Sequence, residues 1–122
     1  MEYLLLICQN EANRTKMTEA EETAMYQEYG QLIQELTAKG KFLGGNQLKP
    51  TATATTVRVR DGKRVVTDGP FAETKEQLGG YFLVNANDLD EAIAIAARIP
   101  AARTECIEVR PVVRRQQAVA NS

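Results

Sequence analysis

The chain has 122 residues, of which 43% are apolar and 25% charged, with a net charge of -1 and no histidine. These values are typical of one globular domain, and the near-neutral charge predicts neither nucleic acid nor a membrane as a partner. The lack of histidine excludes Ser-His-Asp and Cys-His nucleophile systems and removes the usual zinc and haem ligands. We therefore expect no metal and no other cofactor.

The first predicted element is a strand over residues 2–8, EYLLLIC, whose two faces are both apolar. A strand of this kind is covered on both sides. The apolar run is too short for a signal peptide or a membrane span, which predicts a cytoplasmic protein. Next, Thr18 and Glu21 form a capping box that opens a helix over residues 18–40.

A β-hairpin is predicted over residues 52–69, after an extended stretch, because Asp61-Gly62 separates two alternating runs. The patterns that follow predict three more elements, in this order: a strand over residues 80–86, a helix over residues 88–99 that begins at Asp88, and a strand over residues 105–113. We expect one domain over residues 1–113 and a frayed polar tail over residues 114–122.

The order of elements, β-α-β-β-α-β with an added hairpin arm, predicts an α+β protein of the ferredoxin-like type. In that topology the sheet order is 4-1-3-2, and both helices lie on one face. The first strand is also apolar on its other face, and the chain offers no further helix to cover it. We therefore expect a second copy to cover this face, giving a homodimer with a dimeric α+β barrel.

Strand alternation predicts which side chains face the space between the two sheets. In the last strand, Ile107 and Val109 should face the helices, whereas Arg110 should face the cavity. The same alternation in the hairpin turns Val57 and Val59 toward the helices and Arg58 toward the cavity. Arg103, Glu108 and Arg110 are then either a structural ion-pair set at the barrel rim or an anion clamp for a carboxylate or phosphate ligand.

The two cysteines provide a check on this strand order. Because the last strand should pair antiparallel with the first, Cys8 and Cys106 should be neighbours at one end of the sheet. A reducing cytoplasm favours thiols over a disulfide. We expect two free thiols with a packing role.

The stretch TDGPF, residues 67–71, has two interpretations. Asp68, Gly69 and Pro70 are turn formers, so the stretch can simply end a strand and place Phe71 in the core. Alternatively, Asp68 points into the cavity as a base or a ligand acceptor, and Gly69 lets a ligand approach the backbone.

The segment AETKEQ, residues 72–77, can form one helical turn that places Glu73 and Glu76 on one face. Two such carboxylates can separate their pKa values and act as acid and base. They can equally be a solvated face beside Lys75. Both interpretations remain open at this point.

The motifs VTDGPFAETKEQLGGYFLVNANDLDEA, ARIPAAR and IEVRPV together resemble the DGPF branch of the YCII-related proteins, over about residues 2–113. The resemblance implies small bacterial proteins with a ferredoxin-like fold, a dimeric barrel and no assigned reaction. Many relatives are encoded beside sigma factors of the extracytoplasmic-function type, which implies a possible sigma-factor-linked partner. Some members of the wider group carry a His-Asp pair, of which only Asp68 has a match here.

We therefore expect a homodimer that binds a small acidic ligand in the barrel cavity, with Asp68, Gly69, Pro70, Phe71, Glu73, Glu76, Arg58 and Arg110 as site residues. One alternative is a cofactor-free enzyme that uses Asp68 for isomerase-like or lyase-like acid–base chemistry. Others are a regulatory partner in a sigma-factor-linked pathway and a structural dimer without a site. The fold alone does not choose among them.

Overall fold

A computed structural model describes residues 1–114 and is α+β. Its strands and α-helices, in chain order, are β1 (Glu2–Gln9), α1 (Glu11–Arg14), α2 (Glu19–Ala38), β2 (Phe42–Gln47), β3 (Thr55–Arg60), β4 (Lys63–Asp68), β5 (Gln77–Asn85), α3 (Leu89–Ala97) and β6 (Cys106–Pro111). Short 3₁₀ turns cover Thr51–Thr53 and Pro100–Arg103. The predicted tail, apart from Arg114, lies outside the described residues.

Four antiparallel strands form the main sheet in the order β2-β5-β1-β6. Counting only these four strands along the chain, this is the predicted order 4-1-3-2. β1 is paired on both of its edges, so it is a central strand. Within residues 1–114 the sheet stops at β2 and β6 and does not close into a barrel.

The core lies between the sheet and the two long helices. Tyr3, Leu5 and Ile7 of β1 point toward it, and Leu32 and Leu36 of α2 pack in the same cluster. Burying an aliphatic side chain of this size stabilises a fold by about 1.5–3 kcal/mol. The side chains that are buried most completely are Leu5, Val84 and Ile99. As predicted, the half-buried residues Ile107 and Val109 of β6 pack against this cluster.

The two long helices begin where their caps predict. The Thr18 side chain accepts from the Glu21 backbone N–H, and the Glu21 carboxylate accepts from the Thr18 N–H, which completes the capping box. The Asp88 side chain caps α3 by accepting from the Glu91 N–H. None of the helices within residues 1–114 is long and apolar enough to cross a membrane.

The hairpin forms as predicted, but it is a separate two-stranded sheet of β3 and β4, here called the arm. Asp61 and Gly62 both have positive φ, 51° and 74°, as a type I′ turn requires. The prediction that the arm valines face the helices is wrong, because Val57 and Val59 are 57% and 69% exposed. Within residues 1–114 the arm pairs only with itself, so its valines remain exposed.

The predicted helical turn over residues 72–77 is also wrong. The Thr74 hydroxyl donates to the Glu76 carbonyl oxygen at 2.6 Å, and the Gln77 side-chain amide donates to the Thr74 carbonyl oxygen. These side-chain bonds compete with the i to i+4 bonds of a helix. Strand β5 then begins at Gln77 rather than at residue 80, with Gly79 at a register shift against β1.

The end of the arm provides a test of the turn interpretation of DGPF. Gly69 has φ of +93°, its N–H donates to the Ala54 carbonyl at 2.7 Å, and its carbonyl accepts from the Thr56 hydroxyl at 2.7 Å. Gly69→Ala should lower the free energy of unfolding by about 1–2 kcal/mol, because side chains are strained at this φ. Asp68→Asn, at an exposed position, should change it by no more than about 0.5 kcal/mol. Urea denaturation measures both. A larger loss at Asp68→Asn than at Gly69→Ala would show that the Asp68 side chain, rather than the Gly69 backbone, stabilises this turn.

Candidate functional site

The residues proposed from the sequence do not converge on one enclosed site within the chain. Gly69, Pro70 and Glu73 line an open cleft together with Thr51. Asp68 is exposed at the end of β4. The cleft is thus built mainly from the loop that follows the arm.

The other predicted residues lie in three different places. Phe71 is 82% exposed, so the interpretation that placed it in the core is wrong. Arg58 is exposed on the arm. Arg110 is exposed on β6, with its Nε 3.7 Å from a Glu108 carboxylate oxygen. Glu76 accepts a hydrogen bond from the Cys106 thiol at 3.4 Å.

The sheet face turned away from the helices is here called the open face. Strand pairing places Leu4 and Leu6 of β1 on it, opposite Leu83 and Tyr81 of β5. All four side chains are half-buried. A group of apolar side chains that no helix within residues 1–114 covers is typical of an interface.

A concave cavity of about 390 Å³ lies on the other side of the sheet, between α2 and the ends of β1, β2 and β5. We call it the α2 pocket. Its apolar wall consists of Ile7, Met25, Tyr29, Ile33 and Phe82. The ring of Phe82 meets Tyr29 edge-on, with the ring centroids 6.1 Å apart. Such contacts fix aromatic side chains in defined orientations.

Glycines and polar side chains complete the α2 pocket. The glycines are Gly30, Gly45, Gly79 and Gly80, and the polar residues are Gln9, Arg14, Tyr26, Asn46 and Gln47. Neither Asp nor Glu is among the described residues that line it. An apolar cavity with a few convergent polar groups is the usual form of a small-molecule site.

The short helix α1 carries Arg14 to this pocket. The Asn10 side chain caps α1 by accepting from the Ala12 and Asn13 N–H groups. The Glu11 carboxylate then accepts from the backbone N–H and the hydroxyl of Thr51, at 2.8 and 2.7 Å. These bonds fasten α1 to the turn before the arm, and Arg14 follows in its last turn.

Arg14 makes polar contacts only with neutral groups among the bonds formed within residues 1–114. One terminal nitrogen donates to the Tyr26 hydroxyl at 3.0 Å and the other to the Gln9 amide oxygen at 3.4 Å. The guanidinium carbon also lies 5.9 Å from the centre of the Tyr26 ring. The five ion pairs within the described chain do not include Arg14.

A half-buried guanidinium without a carboxylate partner favours binding of an anion. The group has five N–H donors in a planar fork that matches a carboxylate, and the two contacts leave the remaining donors available. Gln47 supports the arrangement, because its side-chain amide donates to the Tyr26 hydroxyl at 3.1 Å.

Tyr29 differs from Arg14 in its chemistry. Burial raises the pKa of its hydroxyl to about 12, against an opposing effect of the Arg14 charge. The phenol therefore remains protonated at neutral pH and is a donor rather than a base. The described lining residues include no Asp, Glu, Cys or Lys, and Arg14 is the one charged side chain among them.

Cys8 and Cys106 lie directly opposite each other on β1 and β6, and both are free, as predicted. The Val112 N–H donates to the Glu2 carbonyl at 2.9 Å, so the alternation of the ladder makes the cysteines a hydrogen-bonded pair. At such pairs the Cβ atoms lie near the wide end of the 4.5–5.5 Å range, whereas a disulfide needs about 3.5–4.5 Å. The register therefore favours two thiols.

A family model described as the YCII-related domain matches residues 1–116. The chain belongs to the YCII-related family. This YCII-related protein is also 34% identical, over 114 residues, to the uncharacterized protein R00369 of Rhizobium meliloti (strain 1021). The alignment covers 92% of each chain. Since this relative is uncharacterized, its name suggests no ligand for the α2 pocket.

Tyr29 gives a test of this pocket chemistry through pH. Its pKa is about 12 in the folded chain and near 10 when unfolded. The unfolded chain releases this proton first, so the free energy of unfolding should fall as the pH rises from about 10 to 12. Tyr29→Phe should remove this part of the decrease in urea midpoints, whereas the matched change Tyr81→Phe should retain it. Equal pH profiles for Tyr29→Phe and the native chain would contradict the assignment.

Proposed function

We propose that this YCII-related protein binds a small organic acid in the α2 pocket and acts as a homodimer. The observation that carries the ligand proposal is Arg14, a cation without a carboxylate partner at an apolar cavity of about 390 Å³. We thus keep the acidic ligand that the sequence predicts. We place its binding site on the helix side of one sheet rather than in the space between two sheets.

Two energetic contributions support an acid with an apolar body. Hydrogen bonds between the Arg14 guanidinium and a carboxylate are each worth about 1.5–3 kcal/mol when partly desolvated. Contact of the ligand body with Ile33 and Phe82 adds about 25 cal/mol per Å² of apolar area removed from water. A polar anion without an apolar body would gain the hydrogen bonds to Arg14 but not the contribution from burial of apolar area.

Titration with 2-naphthoate, followed by isothermal calorimetry, tests this proposal. The native chain should bind it, and Arg14→Gln should weaken binding about 10-fold or more, because the charge-assisted bonds are lost. The uncharged amide of the same ring system should bind more weakly than the acid. Arg60→Gln removes an exposed arginine of the arm and serves as the matched control. Equal affinities of the native and Arg14→Gln chains would refute the proposal.

Features of two surfaces support the homodimer. On the open face, Leu4, Leu6 and Leu83 are only half-buried within residues 1–114. The arm adds Val57, Val59 and Val66, which share one face of the hairpin and are each more than half exposed. A two-stranded hairpin is at best marginally stable by itself in water. We propose that a second copy covers both surfaces, which would complete the ferredoxin-like, dimeric-barrel arrangement.

Charge also favours a second copy as the partner of the arm. The strands and turn of the arm carry four basic residues, Arg58, Arg60, Lys63 and Arg64, and two acidic ones, Asp61 and Asp68. The arm is therefore positive by two charges in a chain whose total is -1, so the remainder is negative by three. Opposite net charges on the arm and the body favour docking of one copy on another.

The residues Asp68–Phe71, at the end of the arm, are also the motif on which we infer membership of the DGPF branch.

Sedimentation at micromolar concentration tests the assembly. The native chain should sediment as a species of twice its 13.5 kDa mass. Leu83→Arg, a change on the open face, should give a folded monomer, because it places a charge in an apolar contact. Thr23→Arg, at an exposed position of α2, is the matched control and should remain dimeric. A native monomer with a native far-ultraviolet circular dichroism spectrum would contradict the dimer.

A further inference from the structure

Gly30 lies in the interior of α2, where glycine is among the least favourable residues for a helix. Two structural reasons can justify a glycine at such a position. One is a left-handed backbone, but Gly30 is not among the glycines with positive φ. The other is close packing, but a Cβ built on Gly30 would meet no atom within 4 Å. The helix therefore contains a destabilising residue that its own packing does not require.

The other glycines of the α2 pocket differ from Gly30 in this respect. A Cβ at Gly45 would lie 2.6 Å from the Tyr81 carbonyl oxygen. At Gly79 and Gly80 the nearest atoms would be 2.5 and 2.9 Å away. Gly45 and Gly80 need glycine because backbone atoms occupy the space, whereas at Gly79 the nearest atoms belong to the Gln9 side chain. Gly30 is exposed and lines the pocket, and a Cβ there would meet only open space.

The position of Gly30 relates this space to Arg14. Tyr26, one turn earlier on α2, holds the Arg14 guanidinium, and Ile33, one turn later, belongs to the apolar wall. Residues at these spacings lie on one face of a helix. An acid whose carboxylate binds Arg14 would therefore extend its body across Gly30 toward Ile33 and Phe82.

We infer that Gly30 is a specificity-determining residue of the α2 pocket and that the ligand is a monocarboxylic acid with a broad apolar body, of the size of a two-ring aromatic acid. This inference rests on the proposed binding of an acid at Arg14 and adds the class of the acid. The methyl group of an alanine at Gly30 would occupy the space that the body of the ligand needs. A smaller acid would still reach Arg14 without crossing Gly30.

The test compares two acids of different size on the variant Gly30→Ala. The variant should unfold about 4 °C above the native chain, because alanine replaces glycine within a helix. Its affinity for 2-naphthoate should fall at least fivefold, whereas its affinity for benzoate should change less than twofold. A gain in thermal stability combined with a size-selective loss of binding is not expected from a glycine with a structural role.

The matched control is Thr23→Ala, which improves helix propensity at an exposed position of α2 outside the pocket. It should raise the unfolding temperature and leave both affinities unchanged. If the native chain binds neither acid, the proposed function fails. If it binds both and depends on Arg14, but Gly30→Ala binds both with native affinity or unfolds at a lower temperature, only the inference about Gly30 is overturned.

Discussion

The structure depends on β1, a strand that is hydrogen-bonded on both edges and apolar on both faces. Pairing with β5 and β6 satisfies its backbone groups, so its two faces determine what can be placed around it. One face, with Leu5 fully buried, holds α2 and α3. The other face carries Leu4 and Leu6, which remain only half-buried within residues 1–114. The division between a closed core and an incomplete surface therefore originates in the first nine residues.

The end of β1 also determines where a ligand can enter. The register against β5 shifts between Ile7 and Cys8, and Gly79 and Gly80 lie opposite this shift. Gly79 and Gly80 contribute no side chains at this point, and Met25 and Tyr29 of α2 line the same cavity. A cavity results between the helix and the sheet, and α1 follows β1 directly to bring Arg14 to its edge. The pocket is thus a consequence of local register and chain connection rather than of a separate insertion.

Much of the fold could be predicted because its determinants are local or periodic. The capping box at Thr18 and the Asp61-Gly62 turn each depend on a few neighbouring residues. The strand order follows from alternation and from the few connections that this sequence of elements allows. The errors have a different cause. Val59 and Phe71 lie in sequence patterns that are typical of buried residues. Both are nevertheless mostly exposed, because burial also requires a covering layer, and residues 1–114 place none over them.

The candidate site was harder to predict than the fold. Gln9, Arg14 and Gln47 come from three separate elements, and no spacing in the sequence connects them. Gly30 was the one available signal, since a glycine within a strongly patterned helix calls for an explanation. Close packing does not explain this glycine, because a Cβ at this position would meet no atom within 4 Å. Many polar residues occur together near DGPF in the sequence. In the structure they are largely exposed and line only an open cleft.

The facing cysteines have a consequence for the chemistry of the open face. Partial burial of the sulfur, the hydrogen bond to Glu76 and the neighbouring Cys8 thiol raise the pKa of Cys106 to about 12. The thiolate, which is the form that attacks electrophiles and peroxides, is therefore scarcer at pH 7 than it is for an ordinary cysteine. An exposed sulfur thereby becomes less reactive without being covered. A second copy that covers the open face would then meet a Cys106 side chain that reacts more slowly with oxidants and alkylating agents than an ordinary thiol does.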